Sequence, residues 1–430
     1  MTGHSLQAVS YTSARKNECK IGAMHSPSQH PILIAGGGPV GVIAALALAR
    51  QGLPVRVFEA EAKVNDMPRA ATTHAATLEM LAGLGMVDEV IERGYVEPLF
   101  RIWDRPSNRI VAEFDFRILK DETPYPFAVQ CEQHKLAGMA IERLKAFPHA
   151  KVEFSARVTA LTQSADGVEI EVETADGTRK VAGSYLIGSD GGRSTVRKAL
   201  GIEFEGYTHA ERFMILTTTF DLGTMYPGCT RNYVSDPNGW FSVFKVSGDG
   251  AGPLWRVLSS TQPEQTDEEL MNPDATEARL QRFLPKDGAY DVVHRNLYNV
   301  HQRVAASFRK GRVFLAGDAA HVNNPLGGLG LNFGIHDAVE LSDLLGRVIR
   351  REAPEDILDE YDLHRRPLNI EFVQQQTVAN KKRMEEKDPA ARAKDFEQLR
   401  RTMNDPAAHR AYARKASLIE SVKRRSAVPA

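Results

Sequence analysis

Cysteine is scarce in this chain. Its 430 residues include three, Cys19, Cys131 and Cys229, widely spaced and with no C-x-x-C pair. An odd, dispersed set argues against a disulfide framework and against a cysteine-based metal centre, and it fits a reducing cytoplasm. Long apolar runs are also missing. No stretch reaches the roughly 18 residues that a membrane span requires. Residues 1–30 lack the apolar centre of a signal peptide and read as a disordered tail, with Met24 as an alternative start. No charge of one sign dominates: the net charge is −1, so no overall field draws nucleic acid or an anionic membrane. The basic clusters Lys381-Lys382-Arg383 and Lys423-Arg424-Arg425 lie in mixed-charge, helix-like sequence and read as solvated faces.

What is present is ordinary globular material. Hydrophobic residues make up 42% and charged residues 25%, enough for a large core. At roughly 150 residues per domain the length suits two to three domains. Order begins at Pro31. The run "PILIAGGGPVGVIAALALARQGLPVRVFEA" reads as strand, glycine turn, helix, loop and second parallel strand. From Lys151 the pattern changes to period-two alternation punctuated by Asp166-Gly167 and Asp176-Gly177, which predicts an antiparallel meander. More strand-like runs fill about 205–300, including those carrying Tyr233, Trp240, Phe241, Phe244 and Trp255. Core packing is the first reading of these aromatics, and lining an aromatic pocket the second. From Leu341 onward the pattern is helical.

Three motifs carry chemistry. The first is Gly36-x-Gly38-x-x-Gly41, with Pro39 and Val40 between its last two glycines, set between a strand and a helix. One glycine allows the turn, one lets backbone approach a pyrophosphate, and one lets helix pack on strand; the helix N-terminus then favours phosphate charge. Glu59 ends the next strand, where a carboxylate accepts hydrogen bonds from a ribose with a free 2′-hydroxyl, as in FAD or NAD. The second is "YLIGSDGGRSTVRKALGI", in which Asp190 or Ser194 can also be a plain helix cap. The third is "GRVFLAGDAAHVNNPLGGLGLNFGIHDA". Here Asp318 stands at a strand end, Pro325–Gly330 exposes backbone N–H groups, and a helix starts near Leu331-Asn332. That helix N-terminus suits the negative charge of a reduced flavin's pyrimidine ring.

In this order the motifs resemble the class A, single-component flavin-dependent aromatic hydroxylases, the para-hydroxybenzoate hydroxylase-like family. The resemblance spans about Pro31 to Arg366, and "WRV", "YNVHQRVAASFRKGRVFLAGDAAH" and "NPLGGLGL" are most similar to the para-nitrophenol monooxygenase branch. It implies an α/β fold: a Rossmann-like FAD-binding domain interleaved with an antiparallel-sheet substrate domain, followed by a helical C-terminal region. The expected layout is an FAD domain over 31–204 with a substrate-side insertion at about 95–130, a substrate domain over 205–300, a second FAD part over 301–350, and the helical region over 351–430.

Position by position, the resemblance implies that Gly36, Gly38, Pro39, Val40, Gly41 and Glu59 hold the ADP half of FAD. Arg69 lies along the cofactor, and Gln130 or Gln133 contacts the ribityl region. Asp190 serves both FAD and NADPH, and Asp318 binds the ribityl or pyrophosphate side. The backbone of Gly330, Leu331 and Asn332 faces the pyrimidine ring, and Pro325 lies by the reactive face. Leu329 stands where many members carry glutamine. His321 is a catalytic candidate beside Pro325, but a structural role next to the loop is its first reading; His294, His301 and His336 have no metal-ligand spacing.

The implied reaction takes a hydride from NADPH or NADH, adds O2 to the reduced flavin as a hydroperoxide, and transfers oxygen to a phenolic ring. A small aromatic substrate, no nucleic acid, no membrane and a cytoplasmic location are expected; monomer and homodimer both remain open. A two-dinucleotide-domain reductase would need a second glycine fingerprint, which is absent. A flavin-dependent halogenase would need W-x-W-x-I-P, and the three Trp are isolated. A non-catalytic flavin-binding protein has no positive feature.

Overall fold

The computed structural model describes residues 30–427 except 249 and 251. The tail reading and Cys19 fall outside the described residues. Two large sheets organise the rest. The first has six strands in the order Arg309–Lys310, Val313–Leu315, Leu186–Gly188, Ile32–Ala35, Val55–Phe58 and Ala150–Glu153. All neighbours in it are parallel except the first pair. Strands Ile32–Ala35, Leu186–Gly188 and Val313–Leu315 are buried at every position. That is why they read in sequence as unbroken apolar runs: helices cover both faces of a parallel sheet.

Helix Pro39–Ala49 is buried from Gly41 to Ala49 and is apolar on all sides. It lies against helices Gly330–Ile349 and Gln133–Leu144. Its approach to the sheet depends on glycine. A Cβ on Gly41 would sit 2.0 Å from the Gly36 carbonyl oxygen, and Gly36 itself has φ of +103° with its α-carbon against the Ser189 carbonyl.

The second sheet has eight strands in the order His321–Val322, Val292–Ala305, Phe204–Thr218, Leu254–Ser260, Phe241–Val246, Arg231–Ser235, Leu99–Asp104 and Arg109–Asp115. Only Arg231–Ser235 with Leu99–Asp104 is parallel. This sheet therefore recruits residues 99–115 as well as 204–305, and the division expected at residue 300 falls inside strand Val292–Ala305. The predicted meander is present as strands Arg157–Gln163, Val168–Thr174 and Gly177–Gly183, turning at the two Asp-Gly pairs.

After helix Gly330–Ile349 the chain stays helical. Helix Asp359–Asn369 contains Pro367 and runs into a π-type turn at Ile370–Gln374. A proline and a wide turn together bend a helix, and helices Gln375–Glu385, Pro389–Asn404 and Pro406–Ala416 then return along the eight-stranded sheet. No helix among the described residues is long and apolar enough to cross a membrane.

Gly41→Ala forces helix Pro39–Ala49 off the sheet. It should destabilise the apoprotein by about 1–3 kcal/mol, the usual cost of overpacking. Gly38→Ala, where an added Cβ meets nothing within 4 Å, should leave the urea midpoint almost unchanged.

Candidate active site

The three motifs meet at one edge. Strands Ile32–Ala35, Leu186–Gly188 and Val313–Leu315 are parallel neighbours, so the turns after them, at Gly36, Ser189-Asp190 and Ala316–Asp318, emerge side by side at the carboxyl ends. Open parallel sheets bind ligands at such a place. Val40 links two of the motifs: its side chain lies against the backbone of Gly317 and Gly334.

Each turn leaves polar groups unspent. Gly38 caps helix Pro39–Ala49 with no side-chain acceptor, so the first-turn N–H groups and their positive potential face open space. Glu59 accepts from Gly37 N–H at 2.6 Å through Oε2 and from Glu61 N–H at 2.8 Å through Oε1. Those bonds fix its carboxylate at the turn with lone pairs to spare. Both polar residues of the second motif cap the helix that follows them. Ser194 Oγ accepts from Arg197 N–H, and Asp190 Oδ2 accepts from Thr195 and Val196 N–H. Asp190 Oδ1 is nevertheless buried without a partner, and a buried acceptor left empty is costly.

Asp318 is the one exposed residue in a buried run from Val313 to His321, so its carboxylate opens onto a recess. Burial by the surrounding protein pushes its pKa up, while His321 and Arg69 draw it back down. Arg69, an exposed side chain, also acts on Tyr298, so its charge is felt by both residues. Its backbone carbonyl accepts from Arg256.

The loop after Asp318 is clamped from several directions. Gly327 N–H donates to Tyr233 Oη at 2.6 Å, and the Gly327 carbonyl accepts from His74 Nε2 at 2.8 Å. Asn332 is fully buried; its Oδ1 accepts from His74 N–H, and its Nδ2 donates to the carbonyls of Thr72 and Gly328. Helix Gly330–Ile349 has no side-chain cap, so the first-turn N–H groups of Gly330, Leu331 and Asn332 stay available beyond half-buried Pro325. Gln130 lies beside this loop: its Oε1 accepts from the Thr72 hydroxyl at 2.9 Å, and its buried Nε2 has no partner. Gln133 is half-buried at the start of its helix. Leu329 is fully buried among apolar side chains, where glutamine would lack a partner.

The surroundings of His321 fit its structural reading and give the catalytic one no support. The ring is 1% exposed and its Nε2 lies 2.7 Å from Asp337 Oδ2. Asp337 also accepts from Gly317 N–H at 3.0 Å and from Arg365 Nε at 2.7 Å. Burial alone would raise the pKa of Asp337, but Arg365 and His321 hold it down at about 2. His321 therefore positions the Gly317–Asp318 turn through Asp337. Sequence reading missed His74, Asp337 and Arg365, and it took Tyr233 first as core. A lone buried histidine carries no local signal of the loop it holds.

A pocket opens on the other side of this loop. Gly327 forms part of its wall, with Phe100, Phe116, Tyr233, Tyr412 and Arg231. Helix Gln375–Glu385 closes it with Gln376, Asn380, Arg383 and Met384. The cluster Lys381-Lys382-Arg383 is thus not one solvated face. Lys381 is ion-paired with Glu211 and Glu385 at 2.5 and 2.6 Å, Arg383 faces the pocket, and only Lys382 is exposed. Among the described residues no group of three or more acidic, His or Cys side chains could hold a metal ion.

Residues 29–376 match the family described as "FAD binding domain". A para-nitrophenol 4-monooxygenase of Pseudomonas sp. (strain WBC-3) is 34% identical over 384 residues, 89% of this chain and 94% of that one. The chain belongs to the class A flavin-dependent aromatic hydroxylases. A 6-hydroxy-3-succinoylpyridine 3-monooxygenase of Pseudomonas putida is 35% identical to this hydroxylase over 85% of its chain and 91% of the relative's. The crystal structure of a p-nitrophenol 4-monooxygenase from Pseudomonas putida DLL-E4 superimposes with a TM-score of 0.85 at 33% identity, covering 90% and 98% of the two chains. This hydroxylase is an FAD-dependent monooxygenase, and the reductase, halogenase and non-catalytic readings give way to that assignment.

Asp318→Ala should weaken FAD binding by about 1.5–3 kcal/mol, the value of a hydrogen bond to a charged group, as read by flavin-fluorescence titration of the apoprotein. The clamp gives a pH prediction. Burial first, and Arg231 second, lower the pKa of His74 to about 3. The unfolded chain takes up a proton on this histidine below about pH 6.5, whereas the folded protein does so only near pH 3. Its contribution therefore falls as pH drops through that window, by about 2 kcal/mol between pH 7 and pH 5. His74→Asn should flatten that part of the pH profile of urea unfolding in the apoprotein.

Proposed function

We propose that this hydroxylase uses NADPH or NADH and O2 to hydroxylate a phenol or a closely related hydroxylated ring. One observation carries the reading: the aromatic-walled pocket and the clamped loop share Gly327, so a ring in the pocket lies beside the loop expected to hold the reactive end of the cofactor. The relatives support the substrate class. Para-nitrophenol and 6-hydroxy-3-succinoylpyridine each join a ring hydroxyl to an oxygen-rich group, nitro in one and succinoyl in the other.

The unspent groups fit FAD. Gly36, Gly38, Pro39, Val40 and Gly41 would present N–H groups and helix potential to its pyrophosphate, and Glu59 would take the adenosine ribose. Arg69, Asp190 and Asp318 would line its central chain. Gln130 is the better of the two glutamines, since it has an unpaired buried donor beside the loop. The N–H groups of Gly330, Leu331 and Asn332 would meet the pyrimidine edge, with Pro325 at the reacting side. Bound FAD supplies hydride acceptance and oxygen activation.

The protein's own tasks follow from its side chains. Phe100, Phe116, Tyr233 and Tyr412 exclude water and orient the ring. Tyr233 donates no hydrogen bond within the protein while its oxygen accepts from Gly327, so its proton is free for a ligand. Burial raises its pKa, and Gly327 N–H and Arg231 counter that. His74, Asn332 and the Asp337 cluster hold the loop still.

A free phenolic oxygen releases electrons into the ring, and its methyl ether does so less. With para-nitrophenol, simple phenols and hydroxybenzoates, NAD(P)H loss should match hydroxylated product. With the methyl ethers, product should fall while peroxide rises. Donor absorbance, peroxide and product measured together check this; equal hydroxylation of a phenol and its ether would overturn it.

A further inference from the structure

Arg231 is a buried cation with nothing to hold. Its residue is 8% exposed, its Nη1 is buried without a hydrogen-bond partner, and no ion pair reaches its guanidinium among the described residues. The group lies over two rings, 5.1 Å from the centre of Phe100 and 5.7 Å from that of Phe116. Such contacts are worth far less than the cost of dehydrating a charge. Glu97, a buried carboxylate near the same strand, does not relieve it, because its oxygens are taken by Leu99 N–H and by the N–H and hydroxyl of Thr230. Folding has thus left a desolvated guanidinium in the wall of the substrate pocket.

Two neighbours point the same way. Arg383, from helix Gln375–Glu385, lines the same pocket and also has no ion pair among the described residues. Both arginines act on Tyr412, whose pKa burial raises to about 12 against their pull. Gln376, on the same helix, has a buried Oε1 with no partner, an acceptor suited to a ligand hydroxyl. Arg231 and Tyr233 are two residues apart on one strand and so share a face of the sheet.

We infer that Arg231, seconded by Arg383, is a specificity-determining residue that binds an anionic oxygen of the aromatic substrate. The inference rests on the aromatic-hydroxylase reading and adds to it the charge the substrate carries. A guanidinium in a dry pocket forms short, charge-assisted bonds to a carboxylate or phenolate. The same dryness penalises a neutral ligand, which leaves the charge unpaired. Arg383 lies beyond the segment 29–376 that matches the family, so this half of the recognition belongs to the helical region of this chain.

The test uses FAD-loaded enzyme and reads ligand binding by perturbation of the flavin spectrum, with no turnover. One arm compares para-hydroxybenzoate with neutral para-hydroxybenzamide. The other compares ionised para-nitrophenol with para-nitroaniline, and the arm showing the larger preference identifies the oxygen as carboxylate or phenolate. In Arg231→Met the anions should bind about 10- to 100-fold more weakly, the range for a lost charge-assisted bond, and the neutral ligands should bind nearly as before. Arg383→Met should show a smaller loss of the same sign. Without ligand, Arg231→Met should unfold at a higher temperature, because an unpaired buried charge has been removed. Wild-type enzyme that prefers neither anion would overturn the inference. So would an Arg231→Met enzyme that melts earlier and loses both ligand classes equally. If anions are preferred through Arg231 but no aromatic compound accelerates donor oxidation, the anion site stands and the hydroxylase reading falls.

Discussion

Asp337 takes three donors into one buried carboxylate: the backbone of Gly317, the ring of His321 and the guanidinium of Arg365. Those donors come from the end of the nucleotide sheet, from the first residue of the edge strand of the second sheet, and from the helix that opens the C-terminal region. A single side chain on helix Gly330–Ile349 thereby fixes all of them relative to one another. Removing one partner of a buried ion pair costs about 3–5 kcal/mol because the other charge is stranded. The arrangement is stable only when the whole set is in place, so Asp318 is presented to the recess with little freedom.

The same tightness explains where polar groups are left open. Asp190 Oδ1, Gln130 Nε2 and Arg231 Nη1 are among the buried polar atoms that have no hydrogen-bond partner within the protein. Sequences that fold well break local rules mostly at functional positions. Here the first two lie along the expected course of the cofactor, and the third lies in the pocket beyond it.

The nucleotide-binding half was legible because its determinants are local. Gly36-x-Gly38-x-x-Gly41 lies within one turn, and Glu59 follows within one strand–helix–strand unit. The unbroken apolar runs at Ile32 and Val313 report burial on both faces directly. The meander was legible through its two Asp-Gly turns. The clamp on the Pro325–Gly330 loop was not, since His74 and Asn332 are separated by 258 positions and Tyr233 and Gly327 by 94. No periodicity records such a pairing. Arg383 misled for a related reason: three consecutive basic residues read as one face, but on a helix successive residues turn about 100° apart, and each of the three meets a different environment.

The pocket wall made by Gln376, Arg383, Met384 and Tyr412 is supplied by helices that follow the second nucleotide segment in the chain. Domains form largely in the order of synthesis. The nascent polypeptide can therefore form its nucleotide sheet while the aromatic cavity still lacks one side, and that cavity closes only when the last helices dock.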